Sequence, residues 1–285
     1  MGTASGHSER WSVLTTRVLA PNPGPMTLDG TNTYVIRATG AGSVVVVDPG
    51  PEIADHLDRV EALGPIELVL LTHHHIDHSE SAATIAARSG APVRAADPAL
   101  CIDGAPLRDG EVVEAAGTRI VVVATPGHTA DSLCFHLPED RATGAAHAFG
   151  SILTGDTVLG RGTTILARPD GSLRDYLHSL EILRDFRGAD LVLPGHGPAL
   201  PRLSDVAVEY IAHRRERLEQ VAAALRALGI APSRDEEVVK RVTDAVYPNT
   251  HASVRFAAEA STYAQLAYLT SERSRAAEDS IESSS

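Results

Sequence analysis

Residues 68–78 read LVLLTHHHIDH, an apolar run that leads into four histidines and one aspartate. The apolar part predicts a buried strand. His73 and His75 are two residues apart, so at the end of a strand both side chains point to one side, and the histidine between them points away. Asp77 and His78 follow where a helix should begin and offer a second pair of ligand-type groups. Divalent metals such as zinc favour imidazoles supported by carboxylates, so the stretch predicts a metal site rather than a surface histidine run.

Three more ligand-type residues each follow an apolar strand in a turn that contains glycine: His128, Asp156 and His196. They end the sequences TPGH, TGD and PGH. Glycine permits the tight backbone geometry that a chain needs close to a ligand. A single residue of this kind is usually an ordinary polar loop residue. Four such strand ends in one chain indicate one common metal centre.

Strands and helices alternate over the first two thirds of the chain, which predicts a layered α/β domain. The predicted strands are Thr33–Ile36, Ser43–Val47, Ile66–Leu71, Thr118–Ala124, Ser132–Leu137, Ser151–Leu153 and Leu191–Leu193. The predicted helices between them are Ile53–Leu63, Glu80–Arg88 and Leu173–Phe186.

After residue 201 the sequence predicts only helices, at Asp205–Leu228, about Asp235–Val246, and Ala252–Tyr268. Ser233 and Glu236 have the spacing of a capping box, which predicts the start of the second of these helices. The chain therefore divides into a catalytic domain over residues 11–203 and a helical module over residues 204–270. Residues 1–10 and 271–285 are polar and are expected to be disordered tails.

The ordered ligand motifs resemble those of metallo-β-lactamase fold hydrolases, over about residues 11–198. The resemblance implies an αββα sandwich with the metals at one edge, where loops from both sheets meet, and a small C-terminal winged-helix-like module. It implies two zinc ions, with Mn²⁺ or Fe²⁺ as alternatives. It assigns the first metal to His73, His75 and His128, the second to Asp77, His78 and His196, and the bridging position to Asp156.

Two further roles follow from the resemblance and the chemistry. Asp48, in the sequence VDPG, matches an aspartate that supports a metal ligand in the family, although such a residue also opens Pro-Gly turns. Two metals holding a bridging hydroxide can attack a carbonyl or phosphoryl centre without a serine or cysteine nucleophile. We expect Asp77 to orient the water or to take its proton.

Two stretches resemble the lactamase-beta-like protein 2 branch of the family, whose characterised member is similar to an endoribonuclease for single-stranded RNA. They are the loop NPGPMTLDGTNTY at 22–34 and the helix YIAHRRER at 210–217. This similarity gives Thr31, Asn32 and Arg214 as substrate-binding candidates. The first functional hypothesis is therefore an endoribonuclease or phosphodiesterase.

Other functions stay open at this point. The same ligand set fits a thioester or ester hydrolase of the glyoxalase II type, and Glu80 beside the metal motif argues against an anionic substrate. Asp156 argues against authentic β-lactamases, which generally lack it. A third hypothesis is a partner-binding scaffold in which the metals are structural.

Composition limits the partners. A net charge of −12 works against duplex DNA and anionic membranes, and no apolar run reaches the roughly 18 residues that a membrane span requires. Cys101 and Cys134 have no CxxC spacing and are expected to be reduced thiols of a cytoplasmic protein. The expected substrates are small esters, thioesters or single-stranded RNA, and a homodimer stays open.

Overall fold

Two six-stranded mixed sheets form the centre of the computed structural model, which describes residues 8–144, 150–166 and 168–282. In both sheets the strands lie side by side in chain order. The first sheet contains β1 (Ser8–Arg10), β2 (Thr15–Leu19), β3 (Asn32–Ile36), β4 (Val44–Val47), β5 (Ile66–Leu70) and β6 (Val93–Arg94). The second contains β7 (Val112–Ala115), β8 (Thr118–Ala124), β9 (Leu133–Leu137), β10 (Ser151–Gly155), β11 (Leu191–Pro194) and β12 (Leu200–Pro201).

Seven α-helices accompany the sheets in the described residues. They are α1 (Ala54–Glu61), α2 (Ile76–Ser79), α3 (Ala82–Ser89), α4 (Leu173–Asp185), α5 (Leu203–Leu228), α6 (Glu236–Val246) and α7 (Arg255–Glu282). The parallel strand pairs β4–β5 and β10–β11 are connected through α1 and α4, respectively. These connections bring the carboxyl ends of the four strands to the edges where the ligand motifs begin.

Alternating side chains build the four layers, as expected for pleated strands. Along β4, Val45 and Val47 face the core between the sheets, while Val44 and Val46 face the outer layer with α1 and α3. On the second sheet the core side includes Phe135, and the opposite side packs against α4 and α5. The predicted αββα sandwich is confirmed.

Helix α5 contributes buried residues to two apolar cores, one on each side of the predicted domain boundary at residue 204. Its first half, including Ala207 and Tyr210, packs with α4 on the second sheet. Its second half, including Val221 and Leu225, packs with α6 and α7 in a separate apolar cluster. The helical module therefore has its own small core but shares its first helix, α5, with the catalytic domain.

Two predicted features of the helical module differ in the structure. Asp235, and not Ser233, precedes α6, because the Ser233 hydroxyl is engaged with the Asp235 carboxylate and backbone and no capping box forms. The module has helices but no wing, since the described chain beyond Pro201 contains no strand.

Both ends of the chain, expected to be disordered tails, contain regular secondary structure in the described residues. Residues 8–10 pair with β2, and Glu9 forms an ion pair with Arg17. α7 continues to Glu282 because residues 271–282 contain alanine, glutamate and arginine but neither glycine nor proline. Residues 1–7 and 283–285 lie outside the described part of the chain. None of the described helices has both the length and the apolar character needed to cross a membrane.

The shared core predicts that damage to the first half of α5 destabilises the catalytic domain. Ala207 is fully buried and its neighbour Val208 is half exposed. Ala207→Glu places a charge against the second sheet, so we expect a loss of several kcal/mol in the free energy of unfolding. Val208→Glu is the matched control and should change it by less than about 0.5 kcal/mol. Chemical denaturation measures both; equal stability of the two variants would contradict the shared core.

Candidate metal centre

The ligand-type side chains meet where strands of both sheets end. β5 ends at Leu70 and leads into 72–75, followed by the short helix α2 with Asp77 and His78. From the second sheet, His128 follows β8, Asp156 follows β10 and His196 follows β11. The seven predicted ligands form two neighbouring groups whose donor atoms lie within 4.8 Å of one another in each group.

His73, His75, His128 and Asp156 form the first group. His75 Nδ1 lies 3.1 Å from His73 Nε2 and 3.0 Å from His128 Nε2. His128 Nε2 lies 3.7 Å from Asp156 Oδ2. Three ring nitrogens and one carboxylate oxygen thus converge on one small volume.

Asp77, His78 and His196 form the second group. His78 Nε2 and His196 Nε2 are 3.2 Å apart, and Asp77 Oδ2 lies 3.5 Å and 3.3 Å from them, respectively. Asp156 also reaches this group, with Oδ1 3.5 Å from His78 Nε2 and Oδ2 3.3 Å from His196 Nε2. The Asp156 carboxylate therefore lies between the two groups, as a bridging ligand would.

The donor spacing fits divalent cations. Two ligands about 2.05 Å from a tetrahedral zinc ion are about 3.4 Å apart, close to the separations within each group. Asp156 Oδ1 is buried and has no hydrogen-bond partner among the described residues. A buried carboxylate oxygen in this condition is costly unless a cation compensates it. The residues present fit two metal ions.

Asp48 supports the centre through three hydrogen bonds. Its Oδ1 accepts from Thr72 N at 2.8 Å, and its Oδ2 accepts from Thr72 Oγ1 at 2.7 Å and from His78 Nδ1 at 2.8 Å. Thr72 Oγ1 lies 3.0 Å from His73 Nδ1 and can accept a hydrogen bond from it. One carboxylate thereby fixes His78 directly and His73 through Thr72, leaving Nε2 of each ring directed at the centre. Asp48 has a φ of 51°, which an aspartate tolerates better than most residues.

Backbone carbonyls fix two of the remaining imidazoles. His128 Nδ1 lies 2.8 Å from Ile165 O and 3.0 Å from Thr164 Oγ1, and His196 Nδ1 lies 3.2 Å from Gly30 O. A proton on each Nδ1 can be donated to these acceptors. The lone pair of Nε2 is then directed toward the centre. Sequence reasoning missed the 164–165 loop, because its residues lack any ligand-type side chain.

The turn glycine before His196 is required sterically. A Cβ on Gly195 would lie 2.6 Å from Asp156 Oδ1 and 2.7 Å from His78 Cε1. A side chain there would displace two ligands from the second group. This glycine therefore reflects close packing behind the centre, as the sequence predicted.

Burial and neighbouring charges shift the pKa values of the imidazoles in opposite directions in the two groups. Burial, followed by the charges of neighbouring imidazoles, lowers the pKa of His73 and lowers the pKa of His75 to about 4. Burial opposes protonation of His78 and His196 too, but Asp156 and its neighbouring carboxylates outweigh it, raising the pKa of His78 and raising that of His196 to about 11. Without metal, the His196 imidazole therefore holds a proton at neutral pH, beside the carboxylates of Asp77 and Asp156.

The carboxylates remain charged. Burial would raise the pKa of Asp77, but the charge of His78 and the hydrogen bond with His196 hold it well below its usual range. The same competition, with His196 as the main opposing charge, lowers the pKa of Asp156. Both aspartates are thus anionic ligands at any pH near neutrality.

His74 points away from the centre, as strand alternation predicts. Its Nδ1 lies 2.9 Å from Asp131 Oδ1 and 3.9 Å from Asp170 Oδ2. These residues line a shallow cleft of about 540 Å³ at His74, and none of the seven predicted ligands lines it. Asp97 also lines this cleft, so it carries three carboxylates.

The three substrate-binding candidates lie inside the protein, where each one contacts other residues. Thr31 and Asn32 are fully buried, and Arg214 is 3% exposed. Thr31 Oγ1 donates to Asp77 Oδ2 at 3.1 Å, and Asn32 Nδ2 donates to Pro194 O and Gly197 O, on both sides of His196. Thr31 and Asn32 therefore position ligands.

Arg214 instead supports a loop. Its guanidinium lies over the Tyr176 ring and donates to Thr164 O, so it holds the segment that orients His128. Glu80, expected near the substrate, accepts from Glu52 N at 2.9 Å and fixes the loop before α1. The sequence identified these residues but could not show which way they point.

Comparisons with known proteins agree with this geometry. A model of the metallo-beta-lactamase superfamily matches residues 26–196. The Beta-lactamase-like protein 2 homolog of Caenorhabditis elegans is 32% identical, over 88% of this chain and 82% of that protein. The Atrochrysone carboxyl ACP thioesterase of Aspergillus chevalieri is 34% identical, over 74% of this chain and 65% of that protein.

A solved structure shares the whole architecture. The metallo-beta-lactamase family protein TTHA1429 from Thermus thermophilus superposes with a TM-score of 0.71 at 26% identity. The match covers 90% of this chain and 93% of that one, so it includes the C-terminal helices.

Asp48 is predicted to control the second metal position. In Asp48→Asn only one oxygen remains to accept three hydrogen bonds, so His78 loses its fixed orientation. We expect metal affinity at the second group to fall about 10- to 100-fold. Competition with a chromophoric chelator measures it, and Asp58→Asn on the surface is the control with the same chemical change. Wild-type affinity in Asp48→Asn would contradict this role.

Metal affinity is also predicted to rise with pH. The pKa of His196, raised to about 11, means that a proton on this imidazole competes with metal at neutral pH, and the raised pKa of His78 acts in the same direction. Each displaced proton should increase the apparent affinity about tenfold per pH unit. Titrations at about pH 6, 7 and 8, corrected for chelator protonation, test this. An affinity that is independent of pH would show that these imidazoles are already neutral.

Proposed function

The chain belongs to the metallo-beta-lactamase superfamily of hydrolases, and we propose that it is a binuclear metal-dependent hydrolase that cleaves a thioester or ester bond. The observation that carries the binuclear part is the Asp156 carboxylate, which lies between two complete donor groups. Zinc is the proposed metal because the donors are five imidazoles and two carboxylates. Mn²⁺ and Fe²⁺ are the alternatives, and one solved relative of this fold, TTHA1623, is described in a di-iron-bound form.

Two bound cations would supply a nucleophile from water at neutral pH and Lewis acidity toward the electrophile. The chain's own residues hold that chemistry in place. Asp77 is the best candidate to orient water or accept its proton, since its side chain is 25% exposed whereas that of Asp156 is 11% exposed. Thr31 donates to Asp77 Oδ2 and so fixes one oxygen of this carboxylate.

The charge of the cleft at His74, the residue between the ligands His73 and His75, favours an uncharged substrate. This cleft is lined by Asp97, Asp131 and Asp170 and by no arginine or lysine among the described residues. Arg161, which lines a different cavity, is already paired with Asp29 through two hydrogen bonds of 2.7 Å and 2.8 Å. A polyanion would meet repulsion in this cleft, whereas a carbonyl group would not.

The similarity to a protein named a thioesterase supports the same substrate class. The match spans 65% of that protein. The chain shares about a third of its matched residues with this relative, which is named for thioester cleavage.

Phosphodiester cleavage of single-stranded RNA is the second candidate. It is favoured by the similarity to the Beta-lactamase-like protein 2 homolog, which extends over most of both chains. The 22–34 loop that carries part of this resemblance has a structural explanation, because Asn22 and Thr31 anchor the loop beside Asp77. A scaffold with structural metals fits less well, since structural zinc sites are closed and Asp77 is accessible.

Parallel assays with S-lactoylglutathione and labelled single-stranded RNA separate the two candidates. We expect metal-loaded protein to hydrolyse the thioester, and Asp77→Asn to lower kcat/KM about 10²- to 10⁴-fold because proton transfer loses its acceptor and the second metal position loses an anionic ligand. Asp185→Asn, an exposed aspartate on α4, is the matched control and should retain activity. Cleavage of RNA alone would replace the first candidate by the second. Turnover of neither substrate by protein with two bound metals would contradict both.

A further inference from the structure

A second polar cavity, of about 300 Å³, lies between the 163–165 loop, α5 and α7. Its walls include His213, Arg214, Arg217 and Gln265. No aspartate or glutamate lines it among the described residues, although the chain has 37 acidic residues against 25 lysines and arginines. The cavity is thus cationic within an acidic protein.

Arg214 places a charge inside the protein without a counter-charge. It is only 3% exposed, and its Nη2 donates to a neutral carbonyl, Thr164 O. Its Nε is buried and has no partner among the described residues. Arg217 likewise bonds to a neutral group, Gln220 Oε1, at 2.7 Å. Because the buried Arg214 guanidinium remains protonated, an anion held between it and the half-buried Arg217 would compensate its charge.

The remaining wall offers hydrogen-bonding groups and space. Gln265 is 2% exposed and lines the cavity, and its side-chain NH2 group is a hydrogen-bond donor. Ser261 and Thr250 add hydroxyl groups. Ala257 lies one turn before Ser261 on α7, and both are small, which keeps the cavity open. Guanidinium groups and hydroxyls together match the several acceptor oxygens of a phosphate.

We propose that this cavity binds the phosphate group of a small molecule. The site goes beyond the proposed hydrolase activity and does not depend on which bond the metal centre cleaves. It is connected to that centre through one residue: Thr164 accepts from Arg214 by its carbonyl, and its hydroxyl lies 3.0 Å from His128 Nδ1. A ligand on Arg214 therefore adjoins the loop that orients a metal ligand.

Calorimetric titration of inorganic phosphate into metal-loaded, full-length protein tests the site. Arg217→Gln removes a cavity charge and should weaken binding at least about tenfold. Arg215→Gln is the matched control, because Arg215 lies on the same helix but is exposed near Glu181 and outside the cavity. It should change the affinity by less than about twofold. Ser261→Leu fills the cavity without changing charge and should abolish the same binding event.

The metal centre is common to all four proteins, so phosphate bound by metal contributes equally and cancels. Phosphate affinity that is unchanged in Arg217→Gln and Ser261→Leu would overturn the proposal, as would equal losses in Arg217→Gln and Arg215→Gln. The effect of added phosphate on the kinetics of hydrolysis then shows whether the bound phosphate group belongs to the substrate or to a separate effector. An increase in KM alone supports a phosphate carried by the substrate, and a change in kcat supports a separate effector.

Discussion

The Asp156 carboxylate is the contact on which the centre depends, because it joins donors from two different sheets. It lies between His128 of one group and His78 and His196 of the other. Its position is set by a strand end on the second sheet, while His78 comes from a helix that follows the first sheet. The two sheets must therefore pack at one fixed distance for both groups to form. The interdigitated core between them, with Phe135 and Leu70 fully buried, supplies that rigidity.

Much of this arrangement could be predicted from the sequence, because ligand-type residues at successive strand ends leave a local signal. The seven predicted ligands do converge, and His74 does point away. The alternation that placed them is a property of any strand. Metal occupation itself stays a prediction, and its main structural support is the convergence of both donor groups on the Asp156 carboxylate.

The roles of the residues around the ligands could not be predicted from strand ends and alternation. Thr31 and Asn32 lie in a loop that resembles one from a known branch, yet both turn inward and hold ligands. Arg214 was expected to face a substrate, and tertiary packing buries it against Tyr176. Helix periodicity does not distinguish an arginine that faces solvent from one that enters a shared core. The predicted domain boundary at residue 204 does not separate two independent units, because α5 contributes buried residues to both cores.

The central claim is that two metal ions share Asp156. Anomalous diffraction from crystals of the zinc-loaded protein tests it most directly. We predict two peaks about 3.5 to 4 Å apart, each within bonding distance of an Asp156 oxygen. One peak alone, or two peaks that Asp156 does not contact, would contradict it.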